Sequence, residues 1–135
     1  MAVKFVLDSD VLIDLIAGQE PAGTVIPNLL EMDLAATTAV TVYELYSGAA
    51  RSSDRRLLDE FLPTLTILPL DARSARYAGA VDLSLRQKGR AINPGDNLIA
   101  GICLAHDFAL VTRNVSHFRR VPDLKVVTME ELFSR

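Results

Sequence analysis

An α/β fold, with a parallel sheet covered by helices on both faces, is what this sequence predicts. The first observation is alternation: short apolar runs rich in β-branched residues take turns along the chain with segments of helical apolar spacing. The second is the opening run, residues 3–7, whose β-branched and aromatic members suit a strand buried on both faces. The third is composition. At 135 residues, 50% hydrophobic and 23% charged, the chain can build one core, so a single domain over 1–135 is expected rather than disorder or two domains.

After the first strand, residues 11–17 read as a helix stopped by Gly18. Residues 24–32 have helical spacing and 34–37 form a short second strand. Residues 40–50 are helical, with Val42, Leu45, Tyr46 and Ala49 in one apolar stripe. Another helix begins at Ser53, turns Leu57, Leu58, Phe61 and Leu62 inward and ends at Pro63; residues 65–68 are a third strand. Asp71 caps a long helix that runs to Lys88 and is terminated by Gly89. Beyond the loop GRAINPG comes an apolar helix over 96–106, then strands over 109–112 and 125–127. Thr128 with Glu131 makes a capping box for a last helical turn.

Several function classes are excluded early. The single cysteine, Cys103, lies in the apolar run LIAGICLA, which rules out an internal disulfide or a CxxC metal site and reads as a core thiol. No basic segment precedes an apolar one at the N-terminus, and no apolar run reaches the ~18 residues of a membrane span. The expected location is the cytoplasm, away from membranes. A net charge of −3 argues against a surface that coats nucleic acid wholesale. Yet 11 of the 14 basic residues are arginine, grouped as Arg51, Arg55 and Arg56; Arg86, Lys88 and Arg90; and Arg113, Arg119 and Arg120. Arginine suits bidentate phosphate contacts, although the plainer reading of any one group is a solvated helix face.

Open α/β sheets bind ligands outside the carboxyl ends of their strands, at the switch point. The stretch KFVLDSDVLIDLI puts Asp8 and Asp10 at such an end, and a buried acid is costly unless paired, hydrogen-bonded or bound to a metal. Two further acids are candidates to join Asp8. Glu44 lies in TAVTVYELYSGAA with Thr41 and Gly48 one turn away, so its helix face is small; the plainer reading is an exposed helical glutamate. Asp96 follows NPG and opens DNLIAGICLA, where it also reads as an N-cap or first-turn acid. The run LVTRNVSHF adds Thr112, Asn114, Ser116 and His117 as polar ligands but no acid before Asp123. Three acids from three segments make an oxygen-rich site for a hard divalent cation. Such a site suits phosphodiester hydrolysis, where metal holds the phosphate, activates water and stabilises the leaving oxygen. Neither His106 nor His117 has the spacing of a zinc site.

Four pieces in order, FVLDSDVLIDLI, TTAVTVYELYSGA, INPGDNLIAGICLAHDFALVTRNVSHF and VPDLKVVT, resemble the PIN-domain ribonucleases, in particular the VapC-type toxins of toxin–antitoxin pairs. The resemblance spans nearly the whole chain. It implies a PIN-like three-layer α/β/α fold with a central parallel sheet of four to five strands. By position it implies that Asp8 and Asp96 are the principal magnesium-binding acids, Glu44 the acid of the second motif, and Ser9 the hydroxyl beside the first. The family's last motif often reads TxNxxDF; here it is TRNVSHF, so His117 stands where an acid is usual and Asn114 is the remaining polar ligand. One firmly held metal with a weaker or substrate-dependent second is the resulting expectation.

The implied activity is single-strand-specific endoribonucleolytic cleavage with Mg²⁺ or Mn²⁺, on RNAs such as tRNA or rRNA at exposed loops. The implied partners are a second copy in a homodimer and a cognate VapB-like antitoxin in a toxin–antitoxin hetero-oligomer. The apolar residues Val25, Ile26, Leu29, Leu30, Leu57, Leu58, Phe61 and Leu62 exceed what one small sheet face needs, and suggest a groove for an amphipathic antitoxin segment.

Two rival readings stand beside this one. DSDVL fits the opening of haloacid-dehalogenase-like phosphatases, with Asp8 as covalent nucleophile and Asp10 as general acid. Against it, the second aspartate expected near GDNLIAG is missing, the chain is short for that fold, and Glu44 has no role. The other rival is a catalytically weak PIN-like domain that binds RNA or protein, its chemistry lost with the fourth acid.

Overall fold

Five strands, β1 (Phe5–Leu7), β2 (Ala35–Thr38), β3 (Thr66–Leu68), β4 (Ala109–Val111) and β5 (Val126–Val127), form one parallel sheet in the order β3-β2-β1-β4-β5. The computed structural model describes residues 3–134. Among the described residues eight helices surround the sheet: α1 (Ser9–Ile16), α2 (Ala22–Glu31), α3 (Ala39–Gly48), α4 (Ser52–Phe61), α5 (Ala72–Gln87), α6 (Pro94–His106), α7 (Val115–Phe118) and α8 (Met129–Phe133). A 3-10 turn over Leu62–Thr64 links α4 to β3.

Side-chain alternation along the strands explains the two covering layers. Phe5 and Leu7 of β1 face one apolar cluster, built with Leu12, Ile26, Leu45 and Leu58 from α1, α2, α3 and α4. Val6 faces the other, built with Val81 and Leu85 of α5 and Ile99, Ile102 and Cys103 of α6. Ala35 and Ala36 of β2 divide in the same way, as do Val111 and Leu110 of β4. Period-two alternation in a parallel sheet thus needs apolar residues at consecutive positions, as the sequence has. The long helices α5 and α6 approach closely at Gly101, where a Cβ would come within 2.6 Å of the Ala78 nitrogen and the Ser74 carbonyl.

Differences from the sequence reading are local. β1 begins at Phe5, and α6 begins at Pro94 with Asn93 as its N-cap. The short helix α7 carries Ser116 and His117 of the run expected to offer polar ligands. The capping box of Thr128 and Glu131 is present, Asp71 caps α5, and Gly89 follows that helix at φ +67°. The inward reading of Leu57, Leu58, Phe61 and Leu62 is corrected at Leu57, and the surplus apolar residues of α2 are largely core. Val25, Ile26, Leu29, Leu58 and Leu62 are buried, while Leu57 is 47% exposed and offers its face to solvent. Among the described residues, no helix is long and apolar enough to cross a membrane.

The chain runs β1 to β2 to β3 outward in one direction and then places β4 on the other side of β1. The switch point therefore lies between β1 and β4, and their carboxyl ends deliver Asp8 and Thr112 to one place.

Candidate active site

Asp8 leaves β1 with extended backbone and serves as the N-cap of α1, its Oδ1 accepting the Ser9 N–H at 2.8 Å. Its Oδ2 accepts the Thr112 hydroxyl at 2.7 Å, and both residues are buried. Thr112 Oγ1 in turn accepts the Asn114 N–H at 3.0 Å, which sets the hydroxyl proton toward the carboxylate. Asp10 sits in the first turn of α1, where its Oδ2 accepts the Arg113 N–H at 2.9 Å; its Oδ1 is buried without a hydrogen-bond partner. The Arg113 guanidinium turns away to Asp14 at 3.0 Å.

Asp96 arrives from the start of α6. Asn93 caps that helix by accepting the Asp96 N–H at 2.9 Å, and its Nδ2 donates back to Asp96 Oδ2 at 3.0 Å. The pair fixes one oxygen of a carboxylate that is itself buried. Glu44 projects from α3 beside this helix start: a Cβ on Gly95 would lie 3.3 Å from Glu44 Oε2. Ser9 and Glu44 also line a cleft of about 550 Å³ with Ile13, Leu45, Gly48 and Leu57. His117, on α7, makes a 3.1 Å contact between its Nδ1 and Asn114 Nδ2.

Electrostatics ties these carboxylates together. Burial pushes the Asp8 carboxyl up to about 6, against the Thr112 and Ser9 hydrogen bonds, with the Asp10 and Asp96 charges adding to the rise. Burial also raises Glu44, reinforced by the charges of Asp8, Asp96 and Asp10. Asp96 is raised by burial and by Asp10, opposed by His117 and by the Asn93 hydrogen bond. Asp8, Asp10, Glu44 and Asp96 thus share one neighbourhood of mutual repulsion. Among the described residues, no three His, Cys, Asp or Glu side chains stand close enough to hold one ion jointly. A cation joining Asp8, Glu44 and Asp96 therefore calls for side-chain rotation or bridging water.

Two participants escaped the reading of the sequence. Asn93 was not seen as the residue that positions Asp96, although Asn-Pro-Gly-Asp is an N-cap followed by proline at the first helical position. Asp10 was noticed at the strand end but given a role only in the phosphatase rival, whereas it adds a fourth negative charge to the cluster.

Residues 5–124 match the PIN domain family. The tRNA(fMet)-specific endonuclease VapC of Shigella flexneri is 31% identical over 127 residues, covering 91% of this chain and 96% of that protein. Ribonuclease VapC2 of Rickettsia felis is 34% identical over 93 residues, covering 66% of this chain and 69% of that one. In three dimensions the chain superposes on a chain of the promoter-DNA-bound VapBC2 complex of Rickettsia felis with a TM-score of 0.84 at 27% identity, over 92% of this chain and 97% of that chain. The DNA-bound VapBC complex of Salmonella typhimurium gives 0.83 at 25%, over 95% and 99%. These likenesses do not favour the phosphatase or the inert-binder reading. The chain belongs to the PIN-domain family, as a VapC-type ribonuclease toxin of a toxin–antitoxin system.

Proposed function

We propose that this chain is a Mg²⁺-dependent endoribonuclease, with Mn²⁺ able to substitute, that cuts single-stranded or looped RNA such as tRNA or rRNA. Asp8, Glu44 and Asp96 are the metal-holding and catalytic acids, with Ser9, Asn114 and His117 as additional polar groups. The observation that carries this reading is the buried Asp8 carboxylate at the switch point, its Oδ2 held by Thr112, with the acids of α1, α3 and α6 close enough to act on it. Burial and like charge both oppose ionisation of that carboxyl, and a bound cation would relieve both.

The donor chemistry fits such an ion. The polar side chains acting on Asp8 are the Thr112 hydroxyl and the carboxylates of Asp10 and Asp96, all hard oxygen donors, and Asp10 Oδ1 is a buried oxygen with no partner. Mg²⁺ keeps several waters, so acids set somewhat apart can share it through water. When bound, the metal supplies a water of lowered pKa and neutralises charge on the scissile phosphate. The chain's own contribution is positional. Thr112 fixes one Asp8 oxygen, Asn93 fixes one Asp96 oxygen, and Glu44 closes the third side from α3.

Partner binding follows the same geometry. The cleft lined by Ile13, Ile16, Gly48 and Leu57, and opening on Ser9 and Glu44, receives an amphipathic segment of a VapB-like antitoxin, with Leu57 and Leu58 of the expected apolar set on its wall. A basic antitoxin side chain reaching Glu44 there competes with metal. In the proposed setting the toxin acts in the cytoplasm, as one domain over 1–135, in a homodimer and in a hetero-oligomer with the antitoxin. The test is cleavage of total RNA with Mg²⁺ or Mn²⁺ against an EDTA control, with mass spectrometry of the protein alone and with its antitoxin. Metal-independent cleavage refutes the mechanism.

A further inference from the structure

We propose that Tyr43 and the groove beside it seat one nucleobase of the RNA next to the scissile phosphate. This rests on the ribonuclease reading above and adds a residue that positions substrate. Tyr43 is 72% exposed, the largest exposure among the big apolar side chains, and it directly precedes Glu44 on α3. An aromatic ring left open to water beside a reactive site is the kind of side chain that interfaces recruit, because it presents a large rigid face at small entropic cost.

The groove itself has a volume of about 410 Å³ and is lined by Val40, Tyr43, Glu44, Leu70, Gly95 and Leu98, with Ala39 at its edge. Its lining residues are apolar apart from the polar ends of Tyr43 and Glu44. Glu44 and Gly95 belong at once to this groove and to the acid cluster, since Glu44 Oε2 abuts Gly95 and Asp96 is the next residue. The groove is therefore continuous with the place where the phosphate is to be held. Gly95 matters to that passage: a Cβ there would lie 3.3 Å from Glu44 Oε2 and 3.5 Å from Asn93 Oδ1, narrowing the doorway.

The chemistry of the occupant follows. A nucleotide is a flat, largely apolar ring tied to an anionic phosphate, and the protein offers an apolar slot with an aromatic wall tied to a cation-seeking cluster. An extended peptide is a poor match, because the wall helices α3 and α6 spend their backbone groups internally and leave no edge to pair with. A groove of about 410 Å³ is of the size that seats a small flat ligand such as a nucleoside. Stacking on an aromatic face is tolerant of base identity, so this subsite favours unstacked, accessible nucleotides rather than a sequence.

The experiment uses the full chain with Mg²⁺ and an oligoribonucleotide whose cut site has been mapped. Wild type, Tyr43→Ala and Tyr43→Phe are compared on the intact oligonucleotide and on versions carrying an abasic site at either nucleotide flanking the cut. Tyr43→Ala is expected to melt like wild type, since the ring is exposed, and to raise KM roughly tenfold or more with kcat within about twofold. Tyr43→Phe should match wild type. On one of the abasic oligonucleotides the Tyr43→Ala penalty should vanish, as a ring with nothing to stack on has nothing to lose. The proposal is overturned by equal KM values for wild type and Tyr43→Ala, or by a penalty that persists on both abasic substrates. It is also overturned if Tyr43→Ala turns a dimer into a monomer by sedimentation, which gives this face to a second copy. Absence of cleavage by wild type strikes at the ribonuclease reading itself, and the base subsite falls with it.

Discussion

Thr112 donates its hydroxyl proton to Asp8 Oδ2 at 2.7 Å, across the boundary between β1 and β4 and in full burial. The bond joins two residues 104 positions apart and lies where the sheet changes direction. It offsets part of the cost of placing a carboxylate there, because a hydrogen bond to the ionised form favours that form.

Thr112→Val keeps the shape of the side chain and removes the donor. The Asp8 carboxyl should then rise above its present value near 6, and the chain should lose about 1–3 kcal/mol at neutral pH, the cost of stranding a buried acceptor. Chemical denaturation at pH 7 measures the loss. Thr112→Ser, which restores the hydroxyl, should recover most of it; equal stability of the Val and wild-type chains contradicts this role.

Stability without divalent cations should depend on pH in a stated direction. A carboxyl whose folded pKa is raised, here from 3.8 to about 6, contributes stability that is fully present below 3.8 and lost as pH rises through 6. The loss is on the order of 3 kcal/mol at about 1.4 kcal/mol per unit of pKa. Asp8→Asn should remove that segment of the curve between pH 4 and 6. Comparing wild type and Asp8→Asn in EDTA across that range isolates Asp8 from carboxylates such as Asp71, which its Ser74 N–H contact holds low and which act in the opposite sense. Parallel curves for the two proteins contradict the assignment.

Metal should reverse the same destabilisation. Millimolar Mg²⁺ or Mn²⁺ at pH 7 should raise the melting temperature, by the equivalent of about 2.7 kcal/mol at a hundred times the dissociation constant. The rise should shrink in Asp96→Asn. A melting temperature indifferent to both ions argues against a site formed before substrate arrives.

Much of this arrangement was legible in the sequence, and the reasons for the gaps are physical. A β-branched run that stops at Asp8 marks a strand end, and Thr128 with Glu131 states a helix start within four residues; both signals are local. The partner of Asp8 was not local, because Thr112 meets it only once β4 pairs with β1. Asn93 was hidden by its own neighbour. An acid at the third helical position and an asparagine at the cap both suit a helix start; proline at the first position favours Asn93, and the backbone places the start at Pro94. On α2 and α4, apolar residues alone did not separate core from groove. Val25, Ile26 and Leu58 are buried while Leu57, one position from Leu58, faces outward.

Asn93→Ala tests the missed residue. It removes both the cap of α6 and the hydrogen bond that pins Asp96 Oδ2, so it should cost about 1 kcal/mol of stability and also weaken metal binding. Asn93→Asp keeps a cap but replaces the donor to Asp96 with another negative charge, so it should keep stability better than affinity for the ion. Titration calorimetry with Mn²⁺ beside thermal melting separates the two effects; metal affinity unchanged in both variants rejects the positioning role.

By the family resemblance of TRNVSHF, His117 is proposed to stand where an acid is usual; it lies next to Asn114 at 3.1 Å. Asn114→Ala and His117→Ala should cost less activity than loss of any of the three acids, because neither supplies negative charge. His117→Asp should raise activity or tighten metal binding, read by cleavage rate against Mn²⁺ concentration. A His117→Ala defect as deep as that of Asp96→Asn would make His117 a principal group instead.

The most direct measurement is RNA cleavage by Asp8→Asn beside wild type, in Mg²⁺ and in EDTA. Asn preserves the volume of Asp8 while removing the charge proposed to hold the cation. The account predicts a folded protein whose cleavage falls at least about a hundredfold, the scale of losing one major electrostatic contact in a transition state, and wild-type cleavage abolished by EDTA. Full activity in Asp8→Asn, or cleavage by wild type that EDTA leaves untouched, contradicts it.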